Sequence, residues 1–250
     1  MEVLKLDCED PAGAPLQLKR LHLSTGATIE AKTIVIASGA RYRRPGIPNL
    51  ADFGGNGVSY WASPVEARLC EGEEVALVGG GNSAGQAVVY LAPKVKRLHL
   101  VIRRNGLEET MSKYLIDRIA ALPNVEIHRE TEIVELAGDG AGRLGGATFR
   151  HRSGGETLHR SLRHLFLFVG ADPNAEWLSG CVAVDKAGFV QTGPLGGPGG
   201  AVASIRLPLE TDRPGIFAIG DVRAGSTKRV AAAVGEGAAV VSQIHSFLAP

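Results

Sequence analysis

The 250 residues hold only three cysteines, Cys8, Cys70 and Cys181, and these stand far apart. They make no C-x-x-C pair and no zinc spacing, so neither a dithiol motif nor a cysteine metal cage is expected. The plain reading is a reduced, cytoplasmic protein. The 7 histidines show no H-E-x-x-H and no pairing with cysteine, so each is read as a surface or core residue and no metal is expected. Aromatic residues are 5% of the chain, which leaves little surface for stacking bases. The net charge of +1 offers no broad basic face, so nucleic acid is not an expected partner. No apolar run reaches the roughly 18 residues of a membrane span, and the first fifteen residues lack an apolar signal-peptide core.

Glycine is what the chain has in quantity: 33 residues, as a fold with many tight strand-to-helix turns requires. The most informative are Gly79, Gly80 and Gly81, continued by Asn82, Ser83 and Ala84. They follow the apolar run Val75–Val78 and precede a helical stretch ending at Leu91, the strand–turn–helix that receives a pyrophosphate. Gly79 allows the tight turn. Gly81 lets a phosphate approach the backbone, and Ala84 lets the helix lie close to its strand. The exposed N–H groups and dipole of the first helical turn then hold the anion.

Further strands are expected at Leu16–Leu18, Leu21–Leu23, Thr33–Ala37, Arg97–Ile102, Val125–His128, Glu132–Leu136, Ala147–His151, Leu165–Val169 and Gly215–Ile219. Helices are expected at Met111–Leu122 and Val230–Leu248, and a glycine- and proline-rich loop at Gly193–Gly200. Gly54–Gly57 and Pro173–Asn174 read as linkers. They divide the chain into an outer domain, 1–56 with 174–250, and an inserted domain, 57–173.

About 20 positions past such glycines, at the end of the next strand, an acidic residue favours NAD and an arginine favours NADP. Arg103 and Arg104 stand there, so NADPH is the expected nucleotide, with NADH as the alternative. Glu108 and Glu109 lie just beyond and would repel a phosphate if they faced it. A second constellation is Thr211–Asp221, a buried strand that delivers Gly220 and Asp221 at its carboxyl end. The glycine permits close approach, and the aspartate can accept hydrogen bonds from ribityl hydroxyls. The last helix begins near Arg229, Val230 and Ala231. Its N-terminus can face the pyrimidine end of a flavin, where dipole and cations stabilise negative charge.

Together these residues resemble the class II flavoprotein pyridine-nucleotide oxidoreductases, and within them the thioredoxin reductase family. The resemblance covers nearly the whole chain. Ile36–Gly39, with Ser38 and Gly39, looks like the family's crossing out of the flavin domain. Gly79–Ala84 looks like its nicotinamide loop, and Ile102–Arg104 like its H-R-R element with the histidine lost. Val169–Asn174, with Gly170, matches the return crossing, and Pro214–Asp221 matches the flavin-binding G-D fingerprint. The resemblance implies an α/β fold of two Rossmann-like, three-layer ββα domains, the NAD(P)H domain inserted into the FAD domain. It also implies bound FAD, rotation of the inserted domain, and a homodimer. The expected reaction passes a hydride from NADPH to flavin N5 and electrons on to an unnamed acceptor, such as a small redox protein. No side chain is needed as a general acid or base, because the flavin carries the chemistry.

Two departures qualify this. Trp61 and Pro64 occupy the positions of the family's redox cysteines, and neither supplies a thiolate. Nothing before Ala37 resembles the family's first strand and FAD glycine loop, so an incomplete FAD domain and weak FAD retention by these residues alone are expected. A non-catalytic NAD(P)H-binding module is therefore a second reading. A third is a serine hydrolase, because Gly81-Asn82-Ser83-Ala84-Gly85 fits G-x-S-x-G, with Asp185 or Asp212 and then His245 in the required order.

Overall fold

A computed structural model describes residues 1–7, 18–178, 180–194 and 206–249. Cys8, the first two positions of the expected Leu16–Leu18 strand, and residues 195–200 of the expected loop lie outside the described residues. The chain forms two compact units, residues 1–41 with 171–250 and residues 42–170.

The outer unit opens with an antiparallel sheet of β1 (Val3–Leu6), β2 (Lys19–Leu23) and β3 (Thr28–Ala31). The β2–β3 turn is closed by Gly26 at φ 82°, a backbone that only glycine adopts without cost. β4 (Ile34–Ile36) buries Ile34 and Ile36, and β5 (Ala40–Tyr42) leads into the inserted unit.

The inserted unit is built on a parallel sheet. Its strands are β6 (Val58–Ser59), β7 (Glu74–Val78), β8 (Arg97–Val101), β9 (Val125–His128) and, later in the chain, β13 (His164–Leu167). Their spatial order is β6-β13-β7-β8-β9. Three helices punctuate them: α1 (Pro64–Leu69), α2 (Asn82–Leu91) and α3 (Lys113–Ala120). An antiparallel sheet of β10 (Thr131–Gly138), β11 (Leu144–His151) and β12 (Thr157–Arg160) lies between β9 and β13 in the chain.

Strand alternation sorts the side chains into three layers. Val75, Leu77, Leu98, Leu100 and Phe166 pack against the helices through Ala84, Val88, Leu91, Leu115 and Ile119. Ala76, Leu165 and Leu167 point the other way, onto Ile133, Leu136, Ala147 and Phe149 of the antiparallel sheet. This is the expected ββα architecture.

The first boundary falls earlier than the glycines of Gly54–Gly57 suggest. Residues 42–56 pack inside the inserted unit, because Ile47, Leu50 and Phe53 bury with Val58, Ile133 and Leu136. Gly57 is a packing position rather than a hinge, since a Cβ there would lie 2.5 Å from Leu144 Cβ and 2.7 Å from Arg163 O. Asn49 fixes the segment further. Its Nδ2 donates to Leu136 O at 2.6 Å and its Oδ1 accepts from Leu136 N at 3.4 Å. Asn49→Ala should cost the inserted unit about 1–3 kcal/mol, because both backbone groups of Leu136 lose a partner. A urea melt of the purified variant measures this, and an unchanged midpoint would exclude Asn49 as an anchor.

The chain returns through β14 (Ala171–Pro173), paired with β5, and β15 (Ile216–Ala218), paired in parallel with β4. It ends in α4 (Val230–Leu248), at the predicted bounds, with Val240 buried beside Phe217 and Leu209. No helix among the described residues is long and apolar enough to cross a membrane. Cys70 is a buried free thiol, and burial pushes its pKa up, so it is a poor nucleophile. Cys181 is disulfide-bonded, against the expectation of reduced thiols throughout.

Candidate functional site

β7 ends in Gly79, buried and at φ 151°. A Cβ there would meet Phe168 O at 2.5 Å and Ala84 Cβ at 3.0 Å. The fold therefore demands glycine at 79 and a small residue at 84, which is fully buried. Gly80 and Gly81 are different. A Cβ on Gly81 would meet only Thr110 O at 3.9 Å, and one on Gly80 nothing nearer than 3.6 Å. Packing within the protein does not require glycine at either position. A ligand that must touch the backbone there does. Gly81 caps α2 with no side chain of its own, and among the described residues no side chain accepts from the N–H groups of Asn82, Ser83 or Ala84. These are the features that a diphosphate cradle needs.

The loop is braced from a segment that the sequence did not single out. Thr110 Oγ1 donates to Gly80 O at 2.8 Å, and Asn82 Oδ1 accepts from Ser112 N at 2.7 Å. Asn82 thus has a positioning role in the protein. Ser83 is exposed in the first turn.

β8 stops at Val101, and Ile102 carries the chain into exposed Arg103 and Arg104. Arg104 pairs with Glu109, so the feared carboxylate holds one arginine. The Arg103 guanidinium has no partner among the described residues. Arg152 joins the same turn, its Nη1 donating to Arg103 O at 3.3 Å. Sequence reasoning missed this third guanidinium, which comes from 49 positions away through the β10–β11 hairpin. Gly170, at φ 95°, accepts from Arg43 N at 3.0 Å where the inserted unit ends.

In the outer unit, Ser38 Oγ donates to Asn174 O at 2.6 Å, and Asn174 N donates to Gly39 O at 3.0 Å. The Ser38 hydroxyl is therefore engaged. Gly39, at φ 68°, has open space where a Cβ would stand. Gly220 sits at φ 70° after β15, and its N–H donates to Glu236 Oε2 at 2.6 Å. The Asp221 carboxylate has no hydrogen-bond partner among the described residues, while its carbonyl accepts from Lys228 Nζ at 3.0 Å. Burial lowers the Lys228 pKa, and its ammonium lies 4.0 Å from the Phe189 ring centre. Arg229, the N-cap of α4, does not cap it with its side chain, whose Nη1 donates to Lys228 O at 3.1 Å, and Val230 is 83% exposed. An open helix start, a cation and an unpartnered carboxylate thus share one corner, a set that fits a polar, partly anionic cofactor.

A serine nucleophile finds no support. An elbow serine sits on a strained backbone, and Glu130 is the only non-glycine residue with positive φ among those described. Ser83 lies inside α2. Asp185 Oδ1 accepts backbone N–H bonds from Ala187 and Phe189, and Asp212 Oδ1 one from Ala183. At the positions of the redox cysteines, Trp61 donates to Glu66 Oε1 at 2.9 Å and Pro64 opens α1.

The family model for pyridine nucleotide-disulphide oxidoreductases matches residues 4–237. An NADH dehydrogenase of Bacillus subtilis is 30% identical over 92% of this chain and 42% of its own length. The NADPH-dependent thioredoxin reductase 3 of Arabidopsis thaliana is 30% identical over 88% of this chain and 39% of its own length. An alkyl hydroperoxide reductase component of Xanthomonas campestris pv. phaseoli is 32% identical over 91% of this chain and 39% of its own length. The chain thus spans about two fifths of these relatives. The crystal structure of thioredoxin reductase from Streptococcus pyogenes superposes with a TM-score of 0.71, at 27% identity, covering 99% of this chain and 73% of that one.

Proposed function

The chain belongs to the pyridine nucleotide-disulphide oxidoreductase family, and from that premise we propose that it is an FAD-dependent NAD(P)H oxidoreductase of the thioredoxin reductase type that works without a dithiol relay. The observation that carries this reading is the pair Gly80–Gly81, glycines that packing within the protein does not require, at a helix start whose N–H groups no described side chain covers. The inserted unit takes the nucleotide. Backbone N–H groups at 79–84 hold its diphosphate, and Gly170 belongs to the same site. Arg103, with Arg152 beside it and Arg104 shared with Glu109, takes the 2′-phosphate of NADPH.

The outer unit takes FAD. Asp221 accepts from its hydroxyls, the open turns at Ser38–Gly39 and Gly220 permit close approach, and the N–H groups of Val230 and Ala231 with Lys228 and Arg229 favour negative charge on the ring. When bound, the flavin supplies hydride acceptance and electron release, so no side chain is assigned as a general acid or base. Trp61 and Pro64 cannot exchange thiols, so the acceptor, a small redox protein or another oxidant, takes electrons directly. The working unit is a homodimer.

Arg103→Ala with Arg104→Ala should weaken NADPH binding about 10- to 100-fold, the loss of one or two charge-assisted hydrogen bonds, and leave NADH within about threefold. Calorimetric titration with both nucleotides tests this. Equal losses for the two would remove the arginines from phosphate recognition. No heat with either nucleotide on the native chain would sink the whole reading.

A further inference from the structure

β8 and β9 run in parallel with His99 opposite Glu126 and Val101 opposite His128. His99, Glu126 and His128 occupy alternate positions, so all three side chains share the sheet face that looks toward the antiparallel layer. Phe149 of that layer meets both imidazoles edge-on, at 5.9 and 5.1 Å between ring centres. No local motif announces the cluster. Its sequence trace is only Glu126-x-His128 on a strand, completed by a histidine from the neighbouring strand.

His99 Nδ1 lies 3.0 Å from His128 Nε2 and 3.4 Å from Glu126 Oε2, and His128 Nε2 lies 3.5 Å from Glu126 Oε1. All three donor atoms fall within 4.8 Å of one another. The side chains of His99 and His128 are 1% and 12% exposed, while Glu126, at 39%, leaves an approach from solvent. We propose that His99 Nδ1, His128 Nε2 and a Glu126 oxygen form a binding site for a divalent transition metal of the zinc class, with a fourth position open to water.

The donor set, two imidazoles and one carboxylate, is one that zinc accepts. Two nitrogens on a tetrahedral zinc stand about 3.3 Å apart, a few tenths wider than here. A hydrogen bond between the rings occupies one nitrogen of each, and His99 Nε2 is buried with no hydrogen-bond partner among the described residues. That nitrogen faces Glu74 Oε2 at 3.6 Å. A metal on Nδ1 fixes the proton on Nε2 and aims it at a carboxylate, the usual outer-shell arrangement of a metal-bound histidine. Opposing this, Arg97 Nη1 stands 3.4 Å from Glu126 Oε2 and Arg160 Nη2 3.6 Å from Glu126 Oε1, while Lys96 pairs with Glu74. These cations compete for the carboxylates and weaken the affinity.

The test is titration of the full chain, stripped with chelator, with Co²⁺ as a visible probe and Zn²⁺ as competitor. One equivalent of Co²⁺ should give the visible absorption of a low-symmetry site, and Zn²⁺ should abolish it. His128→Gln and Glu126→Gln should each weaken binding at least tenfold while circular dichroism remains native. Arg97→Ala should tighten binding several-fold, an effect that a merely structural cluster would not show. No stoichiometric absorption with the native chain overturns the proposal, as does full binding by folded His128→Gln and Glu126→Gln.

Discussion

Gly79→Ala is expected to cost the inserted unit about 3–5 kcal/mol, whereas Gly81→Ala, two residues on, should cost under about 1 kcal/mol and still abolish nucleotide binding. At position 79 two penalties coincide. A φ of 151° is unfavourable for any residue with a side chain, and the new methyl would stand 2.5 Å from the Phe168 carbonyl oxygen. Strained backbone costs about 1–3 kcal/mol and overpacking about as much again. The obstacle is main chain of the segment leaving β13, so it cannot rotate away.

At position 81 the backbone is extended, with φ −95°, and the methyl meets only Thr110 O at 3.9 Å. The remaining cost is a helix N-cap changed from glycine to alanine, up to about 1 kcal/mol. The methyl would, however, fill the space through which a diphosphate reaches the first-turn N–H groups. Denaturant melts and calorimetry with NADPH, run on both variants, separate the two roles. A Gly81→Ala chain that binds NADPH as the native chain does would show that the open space above this glycine serves something else.

The contrast also shows what could be read from the residues alone. Strand, glycines and helix at 75–91 are contiguous, so local pattern was enough to place them, and α4 was legible for the same reason. The short α1 carried a legible signal that went unused. Ser63-Pro64-x-Glu66 is a capping box with proline at the first helical position, and the structure forms it. What sequence could not supply is pairing at a distance. Residues 42–56 look like irregular chain beside a glycine linker until Asn49 meets Leu136, 87 positions away. The same holds for Arg152 beside Arg103, and for His99 beside His128. Each depends on strand order and register, which local composition does not encode.

Glu236 is another such residue, and the second large effect is expected there. It lies on α4 with its side chain 15% exposed, and it gathers three donors: Gly220 N at 2.6 Å, Ser226 Oγ at 3.0 Å and Arg223 Nη2 at 2.5 Å. It thereby ties the Gly220–Asp221 turn to the last helix. Glu236→Ala strands a mostly buried guanidinium and two further donors, and should cost the outer unit about 2–4 kcal/mol. Glu236→Gln keeps an acceptor but loses the charge, so about half that loss is expected. The pH dependence distinguishes charge from shape. Burial pushes the Glu236 carboxyl up, but the hydrogen bonds from Arg223, Gly220 and Ser226, with the Arg223 charge, outweigh it and hold the pKa below the ordinary value. Its contribution is then fully present above the unfolded pKa of about 4.3 and drains away as pH falls through the lower folded value. The difference in stability between native and Glu236→Gln chains should therefore be constant near neutrality and shrink below about pH 4. A difference that persists unchanged into acid would mean that Glu236 holds the turn by shape alone, and that its charge contributes nothing to the corner where Asp221 stands.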